Sequence, residues 1–277
     1  MRTLFIVATP IGNMEDITLR ALRVLGEVAL IAAEDTRTTR TLLAHHGIRA
    51  RLLSYNEHNM RARTPQLLVA LEDSDIALVS EAGTPGVSDP GHQLIVAALA
   101  AGFPVVPVPG PSALIAALTA SGLPMREFTF AGFLPRRPGA RRRALSALAR
   151  EPRTLVFFEA PHRLRRALED IRAALGDRRI AVCRELTKVF EEIFRGTVSE
   201  ALEHFREPRG EFTLVIEGGT GDGPLPSDEN VSRQLEENRD RGLSARDAVK
   251  AVTAATGRPH REVYSLWLEL RKTDPEH

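Results

Sequence analysis

The sequence predicts an α/β protein with two domains and a small helical appendage. Short apolar strands alternate with helices through the first half of the 277 residues, a pattern typical of a parallel sheet covered by helices on both faces. A second series of strands and helices follows, and then a glycine- and proline-rich stretch precedes a polar tail. We therefore expect domains at residues 1–122 and 123–221 and an appendage at residues 226–277.

The first domain is predicted to contain five strands and five helices in alternation. Apolar runs place the strands at residues 3–8, 28–33, 51–55, 76–80 and 105–108. Helical periodicity between them places helices around residues 19–25, 37–46, 65–71, 92–101 and 112–121. Gly122 and Pro124 then interrupt the pattern and close the unit.

The second domain is predicted to be a mixed α/β unit of similar size. Its strands are expected at residues 128–133, 154–158, 180–183 and 212–216, and its helices at 141–149, 162–175 and 198–205. Residues 218–226 have the composition of a linker.

The tail is predicted to form a helical hairpin that resembles a helix-turn-helix. Ser244 can cap a first helix, Gly257 and Pro259 end it, and a second helix carries Val263 and Trp267. An alternative is that this hairpin packs on the body of the protein or on a second subunit.

Composition excludes several classes of protein. The formal net charge is only +1, so any nucleic-acid surface must be a local patch. Cys183 is the single cysteine, which excludes an internal disulfide and a cysteine-cluster metal site, and we expect no metal. The amino terminus and the absence of a long apolar run predict a cytoplasmic protein without a signal peptide or membrane span.

Three turns at predicted strand ends indicate a ligand cleft. Residues 79–91 contain three glycines and two prolines directly after a strand, and residues 9–13 and 109–113 are turns of similar design. Ligands of open α/β sheets bind beyond the carboxyl ends of the strands, although each turn alone could be an ordinary tight connection. Neither GxGxxG after the first strand nor GxxxxGK[ST] occurs, so nicotinamide or nucleoside-triphosphate chemistry has no motif.

Long motifs resemble the S-adenosylmethionine-dependent tetrapyrrole methylase superfamily. They lie at residues 8–13, 16–18, 33–37, 54–59, 80–91 and 109–113, and in the second domain at residues 157–163, 184–188 and 210–218. The first loop reads Ala8-Thr9-Pro10-Ile11-Gly12-Asn13, where tetrapyrrole methylases and diphthine synthase usually carry a GxGPGD-type loop. This departure, residues 34–37 and the tail favour the bacterial branch that methylates the 2′-hydroxyl of cytidine 1402 in 16S ribosomal RNA.

The resemblance implies a two-domain tetrapyrrole-methylase-like fold that binds S-adenosylmethionine, the methyl donor, in a cleft between the domains. The implied donor-binding residues are Pro10, Ala82, Gly83, Pro85, Val87, Asp89, Ser112, Ala113, Phe158, Leu186, Phe212 and Thr213. It also implies a homodimer that acts on 16S rRNA of the small ribosomal subunit. The alternatives are a methylase of a tetrapyrrole or diphthamide precursor and a non-catalytic RNA-binding assembly factor.

Two acidic residues are the candidate catalytic groups. A ribose hydroxyl is a poor nucleophile while it is protonated, so a nearby carboxylate would help. Glu34 and Asp35 follow the second predicted strand and are the leading pair, while Asp89 is expected to bind the loop or the donor. Capping of a helix is an equally good explanation for each carboxylate alone.

Basic residues form three candidate RNA-binding groups. Arginine and lysine at such positions can contact phosphates, although a solvated helix face is an equally good explanation. The candidates are Arg37 and Arg40 in the first domain, Arg136, Arg137, Arg141 and Arg142 near the domain junction, and Arg246, Lys250 and Arg261 in the tail.

Overall fold

The computed structural model describes residues 2–219 and 228–273. Over these residues it contains two five-stranded sheets with helices packed on them, followed by a helical tail. The predicted α/β fold class is confirmed. None of the helices in these ranges is both long enough and apolar enough to span a membrane.

The first domain alternates strands and helices, as the sequence predicted. The strands are β1 (Leu4–Val7), β2 (Leu30–Ala33), β3 (Leu52–Ser54), β4 (Ile76–Val79) and β5 (Val105–Val108). The helices are α1 (Leu19–Glu27), α2 (Thr36–His45), α3 (Met60–Asp73), α4 (His92–Ala100) and α5 (Ala113–Ser121).

All strand pairs of the first sheet are parallel. The order is β3-β2-β4-β1-β5, so β4 and β1 lie at its centre. One face packs on Leu67 and Leu94, and the other packs on Val24 and Leu43. Because the strands are parallel, their carboxyl ends meet at one edge of the sheet, and the loops that follow them lie together.

The second domain contains a mixed sheet. Its strands are β6 (Phe128–Phe133), β7 (Thr154–Glu159), β8 (Arg179–Arg184), β9 (Glu192–Thr197) and β10 (Phe212–Ile216). Its helices are α6 (Pro138–Ala147), α7 (Pro161–Leu175) and α8 (Val198–His204). The order is β6-β7-β10-β8-β9, and only β6 and β7 pair in parallel. Strand β9, at one edge, is an element that the sequence analysis missed.

Helix α5 joins the two domains. Its side chains Ala117 and Leu118 pack with Val156, Ala181 and Val215 on one face of the second sheet. The opposite face of that sheet is covered by helices α6, α7 and α8. The predicted boundary at residue 122 falls just after α5, where Gly122 is the helix C-cap.

The tail is a three-helix unit, so the predicted two-helix hairpin is incomplete. Its helices are α9 (Asp228–Asp240), α10 (Ala245–Thr256) and α11 (His260–Thr273). Val231 and Leu235 of α9 pack against Val252 and Trp267, and Trp267 is only 6% exposed. The tail therefore buries its tryptophan in its own core. Of the predicted linker at 218–226, residues 220–226 lie outside the described residues.

Candidate active site

Three loops at the carboxyl edge of the first sheet form one continuous surface. The backbone N–H of Thr9 donates to the carbonyl of Gly83 at 2.9 Å, and the N–H of Gly83 donates to the carbonyl of Thr9 at 3.0 Å. The hydroxyl of Thr84 donates to the carbonyl of Pro111 at 3.5 Å. The first loop (residues 9–13), the loop predicted to bind the donor (80–91, called the donor loop) and the third loop (109–113) are thus brought together, as the sequence predicted.

The donor loop has an unusual backbone. Gly83 has a φ of +74°, and Ser88, which is not glycine, has a φ of +68°. Such conformations are uncommon for residues with a side chain and often occur at binding sites. A Cβ atom on Gly83 would lie 3.5 Å from the Ile11 side chain and 3.9 Å from the carbonyl oxygen of Pro111, so Gly83 packs close to both neighbouring loops.

A loop of the second domain, residues 185–188, contacts the first loop. Glu185 and Thr187 both have positive φ angles, and the Lys188 ammonium is held by Glu185 at 3.0 Å and by Glu211 at 2.9 Å. A Cβ atom on Gly12 would overlap the side chain of Lys188. Thr187 and Lys188 were not predicted as site residues, because this contact joins residues that are far apart in the chain.

Apolar residues of both domains close the bottom of the cleft. Ile11 of the first loop and Ala113 of α5 pack in the same cluster as Leu186 and Cys183 of the second domain. Burial raises the pKa of the Cys183 thiol to about 11, so this residue is an unreactive core residue. Ser112 caps α5 by accepting the N–H of Ile115 at 3.5 Å.

The prediction for the Phe212 side chain is wrong. Successive side chains of a strand point to opposite faces of the sheet. Phe212 is only 3% exposed and packs on Phe205 in the core beneath the helices, with 5.5 Å between ring centroids. Its neighbour Thr213 pairs with Phe158 in the register of β10 and β7 and lies on the opposite face of the sheet from Phe212. For the other second-domain residues predicted to surround the adenine, which are Phe158, Leu186 and Thr213, the assignment stays a prediction.

Glu34 lies where β2 and β4 end side by side. Its carboxylate accepts the backbone N–H of Glu81 at 3.1 Å, which ties it to the donor loop. Burial raises its pKa, and the negative charges of Glu81, Glu57 and Asp35 raise it further. Glu34 therefore holds a proton more tightly than an exposed glutamate.

Asp35 has a different environment. It is the N-cap of α2, accepting the backbone N–H of Arg37 at 2.7 Å, and its other oxygen accepts from the guanidinium of the same arginine at 2.7 Å. These hydrogen bonds lower the pKa of Asp35 to about 2. A carboxylate that is so weakly basic is poorly suited to accept a proton near neutral pH.

Asp89 lies in the donor loop, and the charge of Glu34 acts on it. Burial raises the pKa of Asp89 to about 6, and the charges of Glu34 and Glu81 act in the same direction, while a hydrogen bond from Ser80 opposes them. We call Glu34, Glu81 and Asp89 the acidic cluster. Nowhere in residues 2–219 and 228–273 do His, Cys, Asp and Glu side chains form a group of three or more that could hold a metal ion.

One predicted RNA-binding arginine is buried. Arg141 is 4% exposed, and its guanidinium donates to Asp170 of α7 at 2.6 Å. It therefore joins α6 to α7 and is not available to a phosphate, which corrects the sequence-based prediction. The other candidates have exposed side chains, although Arg37 is also paired with Asp35.

The match to a known family spans most of both domains. The family described as tetrapyrrole (corrin/porphyrin) methylases matches residues 3–202. The chain belongs to the tetrapyrrole methylase family.

Curated relatives place this methylase in the branch that the sequence motifs indicated. It is 47% identical over 275 residues to Ribosomal RNA small subunit methyltransferase I of Synechocystis, which covers 98% of this chain and 99% of that protein. The protein of the same name from Halalkalibacterium halodurans is 45% identical over 96% of this chain and 94% of its own length. The one from Escherichia coli O157:H7 is 50% identical over 81% of each chain.

Solved structures of other tetrapyrrole methylases share the fold. The methyltransferase CobJ matches with a TM-score of 0.61 at 21% identity, over 79% of this chain and 95% of its own. Uroporphyrin-III C-methyltransferase from Thermus thermophilus, complexed with S-adenyl homocysteine, matches with a TM-score of 0.57 at 23% identity, over 78% and 97%. At these identities the likeness concerns the fold alone.

Proposed function

We propose that this methylase transfers a methyl group from S-adenosylmethionine to small-subunit ribosomal RNA, at the 2′-hydroxyl of cytidine 1402. The observation that carries the proposal is the identity of 45–47% to Ribosomal RNA small subunit methyltransferase I over nearly the whole chain, tail included. The position and the oxygen rest on the sequence motifs of that branch.

The cleft suits a donor that is bound largely through backbone groups. The donor loop has positive φ angles at Gly83, Gly86 and Ser88, a backbone conformation that often occurs at binding sites. The hydroxyls of Thr9 and Thr187 are buried without a hydrogen-bond partner on the two sides of the cleft. A ligand with amino, carboxylate and ribose groups would supply such partners.

The proposed donor-binding set follows from this arrangement. S-adenosylmethionine would supply a methyl group that is activated by its attachment to a sulfonium. The residues proposed to hold it are Pro10, Ala82, Gly83, Pro85, Val87, Asp89, Ser112, Ala113, Phe158, Leu186 and Thr213, together with the backbone of Phe212.

The acidic cluster would assist the chemistry. As the ribose oxygen forms its bond to the methyl carbon, the bond from that carbon to sulfur breaks and the hydroxyl proton must leave. Glu34 is the preferred proton acceptor because its raised pKa makes it more basic than Asp35. Positioning of the oxygen against the methyl group would supply a large part of the remaining acceleration.

Exposed cations near the cleft and on the tail would hold the RNA backbone. Contacts to phosphates position a nucleic acid without reading its sequence. The proposed residues are Arg37, Arg40, Arg136, Arg137, Arg142, Arg246, Lys250 and Arg261. A homodimer, which the family resemblance implies, is part of the same proposal.

One transfer assay tests the proposal against its alternatives. Purified protein is incubated with labelled S-adenosylmethionine and, separately, with small ribosomal subunits lacking the modification, free 16S rRNA, and a uroporphyrin-type tetrapyrrole. We expect label in rRNA only. Label in the tetrapyrrole would support the tetrapyrrole methylase instead, and donor binding without any transfer would support an assembly factor.

A further inference from the structure

Phe133 is an exposed aromatic residue beside the predicted donor site. It ends strand β6, and 52% of its surface is accessible to solvent. Its ring centroid lies 5.6 Å from that of Phe158, which lies 5.0 Å from that of Phe130, both in edge-to-face geometry. Phe130, Phe158 and Phe133 thus form an aromatic trio that runs from the interior to the surface.

A β-bulge puts Phe133 into this trio. Phe130 pairs with Val156 and Phe133 pairs with Phe158, so β6 advances three residues while β7 advances two. In a regular strand, residues three apart point to opposite faces, and Phe133 would face away from Phe130. The extra residue shifts the alternation of side chains between the two faces of the sheet by one, so Phe133 lies on the same face as Phe130. Bulges change the direction of side chains beside active sites in this way.

The bulge faces the donor loop. Gly132, in the bulge, has a φ of +63°, and a Cβ atom at this position would lie 3.0 Å from the hydroxyl oxygen of Ser88. The strained residue of the donor loop and the bulge of the second domain therefore meet across the cleft. Phe133 follows this contact directly in the chain and is exposed to solvent beside it.

Two exposed arginines follow the aromatic trio along the chain. Arg136 and Arg137 follow Phe133 and precede Pro138, the first residue of α6. The positive end of a helix dipole does not favour cations there. The backbone that leads to these arginines is fixed, because Arg163 donates to the carbonyl of Leu134 and pairs with Glu159 at 3.1 Å.

We propose that Phe133 is a stacking platform for an unpaired base of the RNA substrate, with Arg136 and Arg137 on the flanking phosphates. This inference rests on the proposed function. Proteins hold single-stranded RNA by stacking bases on exposed aromatic rings beside a cationic track. Phe158, which is the middle ring, serves the donor side, and Phe133, which is the outer and half-exposed ring, serves the substrate.

The test compares Phe133→Leu and Phe133→Tyr with wild type. Kinetics are measured on unmodified small subunits, and the dissociation constant of S-adenosylmethionine is measured by calorimetry. We expect Phe133→Leu to lower kcat/KM for the RNA substrate roughly tenfold, the loss typical of one base–aromatic stack. The affinity of Phe133→Leu for the donor should stay within about twofold of wild type. Phe133→Tyr, which keeps an aromatic ring, should have nearly wild-type activity. Val69→Ala, which removes an exposed apolar side chain on α3, is the control and should have no effect.

The outcomes separate the inference from the proposed function. Wild-type protein that transfers no methyl group to rRNA would contradict the proposed function itself. Active wild type with an equally active Phe133→Leu variant would overturn only the stacking role. Loss of donor affinity in that variant would assign the ring to the donor site, and dissociation of a dimer would assign it to a subunit interface. Each of these last two results would also overturn the proposal.

Discussion

Gly83 joins the first loop to the donor loop through two backbone hydrogen bonds, and its φ of +74° is unfavourable for any other residue. Gly83→Val should weaken S-adenosylmethionine binding roughly tenfold or more, because a branched side chain would enter the proposed site and strain the loop. Gly47→Val is the matched control, since Gly47 also has a positive φ but has open space around it. Both variants should lose about 1–2 kcal/mol of stability, and only the first should lose donor affinity by calorimetry.

Loss of charge at Glu34 and at Asp35 should have different effects on the rate of methyl transfer. Glu34→Gln should lower kcat by roughly 10²-fold or more while donor affinity is preserved. Asp35→Asn should remain within a few-fold of wild type, because asparagine still caps α2 and the Asp35 carboxylate is weakly basic. Single-turnover methylation of subunits measures both effects. A normal rate for Glu34→Gln would remove it as the proton acceptor.

Asp89 should make stability depend on pH. Its pKa is about 6 in the folded protein, against 3.8 when it is unperturbed, so the folded state binds the proton more tightly. Stability should therefore fall as pH rises from about 4 to about 6, and remain lowered above that range.

The substitution Asp89→Asn isolates this effect. After allowance for its partial exposure, the variant should gain about 1 kcal/mol at pH 8, or roughly 2–4 °C in Tm, and nothing near pH 4. Asp73→Asn, which changes an exposed carboxylate at the end of α3, is the control. A Tm difference between Asp89→Asn and wild type that does not vary with pH would contradict the raised pKa.

At the scale of elements, Arg141 and Arg142 are neighbours with opposite environments. Arg141→Ala would leave the partly buried Asp170 carboxylate without its partner and should destabilise the protein by about 3 kcal/mol, with little effect on RNA affinity. Arg142→Ala removes an exposed charge and should weaken RNA binding without changing stability. Thermal melts and filter binding measure the two properties. An unchanged Tm for Arg141→Ala would contradict the structural role assigned to this arginine.

The tail should capture the substrate. Truncation after Gly223 should leave a body that folds and binds S-adenosylmethionine, because the tail has its own core. Its methylation of subunits should be poor, and the salt dependence of RNA binding should be shallower by roughly 2 if the three proposed cations are lost. A triple variant of Arg246, Lys250 and Arg261 to glutamine, with the tail retained, is the matched comparison. RNA binding with the original affinity and salt slope in both proteins would exclude this role.

The elements that the sequence predicted correctly have strong apolar patterns. β4 is buried along its entire length, and all four of its residues are apolar, which is typical of a buried strand. β9 was missed because it is an edge strand whose residues are mostly half-buried, so no alternation appears in Glu192–Thr197. α9 was missed because only Val231 and Leu235 of its polar sequence are buried. Helix α3 begins at Met60, before Pro65, where the sequence analysis placed its start.

At the scale of the whole molecule, the site depends on how the domains meet. The loop motifs predicted that the three turns share a cleft, because parallel strands bring their carboxyl ends together. Local sequence could not predict that the Lys188 side chain contacts Gly12, or that the Phe212 side chain packs in the core of the second domain. Both depend on contacts and strand registers formed between distant segments. A glycine inside the apolar strand at 128–133 was the one local sign of the bulge at Gly132.

The central claim is transfer of a methyl group to a ribose oxygen of small-subunit rRNA, and its most direct test is mass spectrometry of the methylated product. Small subunits lacking the modification are incubated with the protein and S-adenosylmethionine carrying a deuterated methyl group, and the rRNA is digested to nucleosides and to mapped fragments. We predict one deuterated methyl group per subunit, on the 2′-oxygen of cytidine 1402. Label on a base, on a ribosomal protein or at another nucleotide would contradict the proposal.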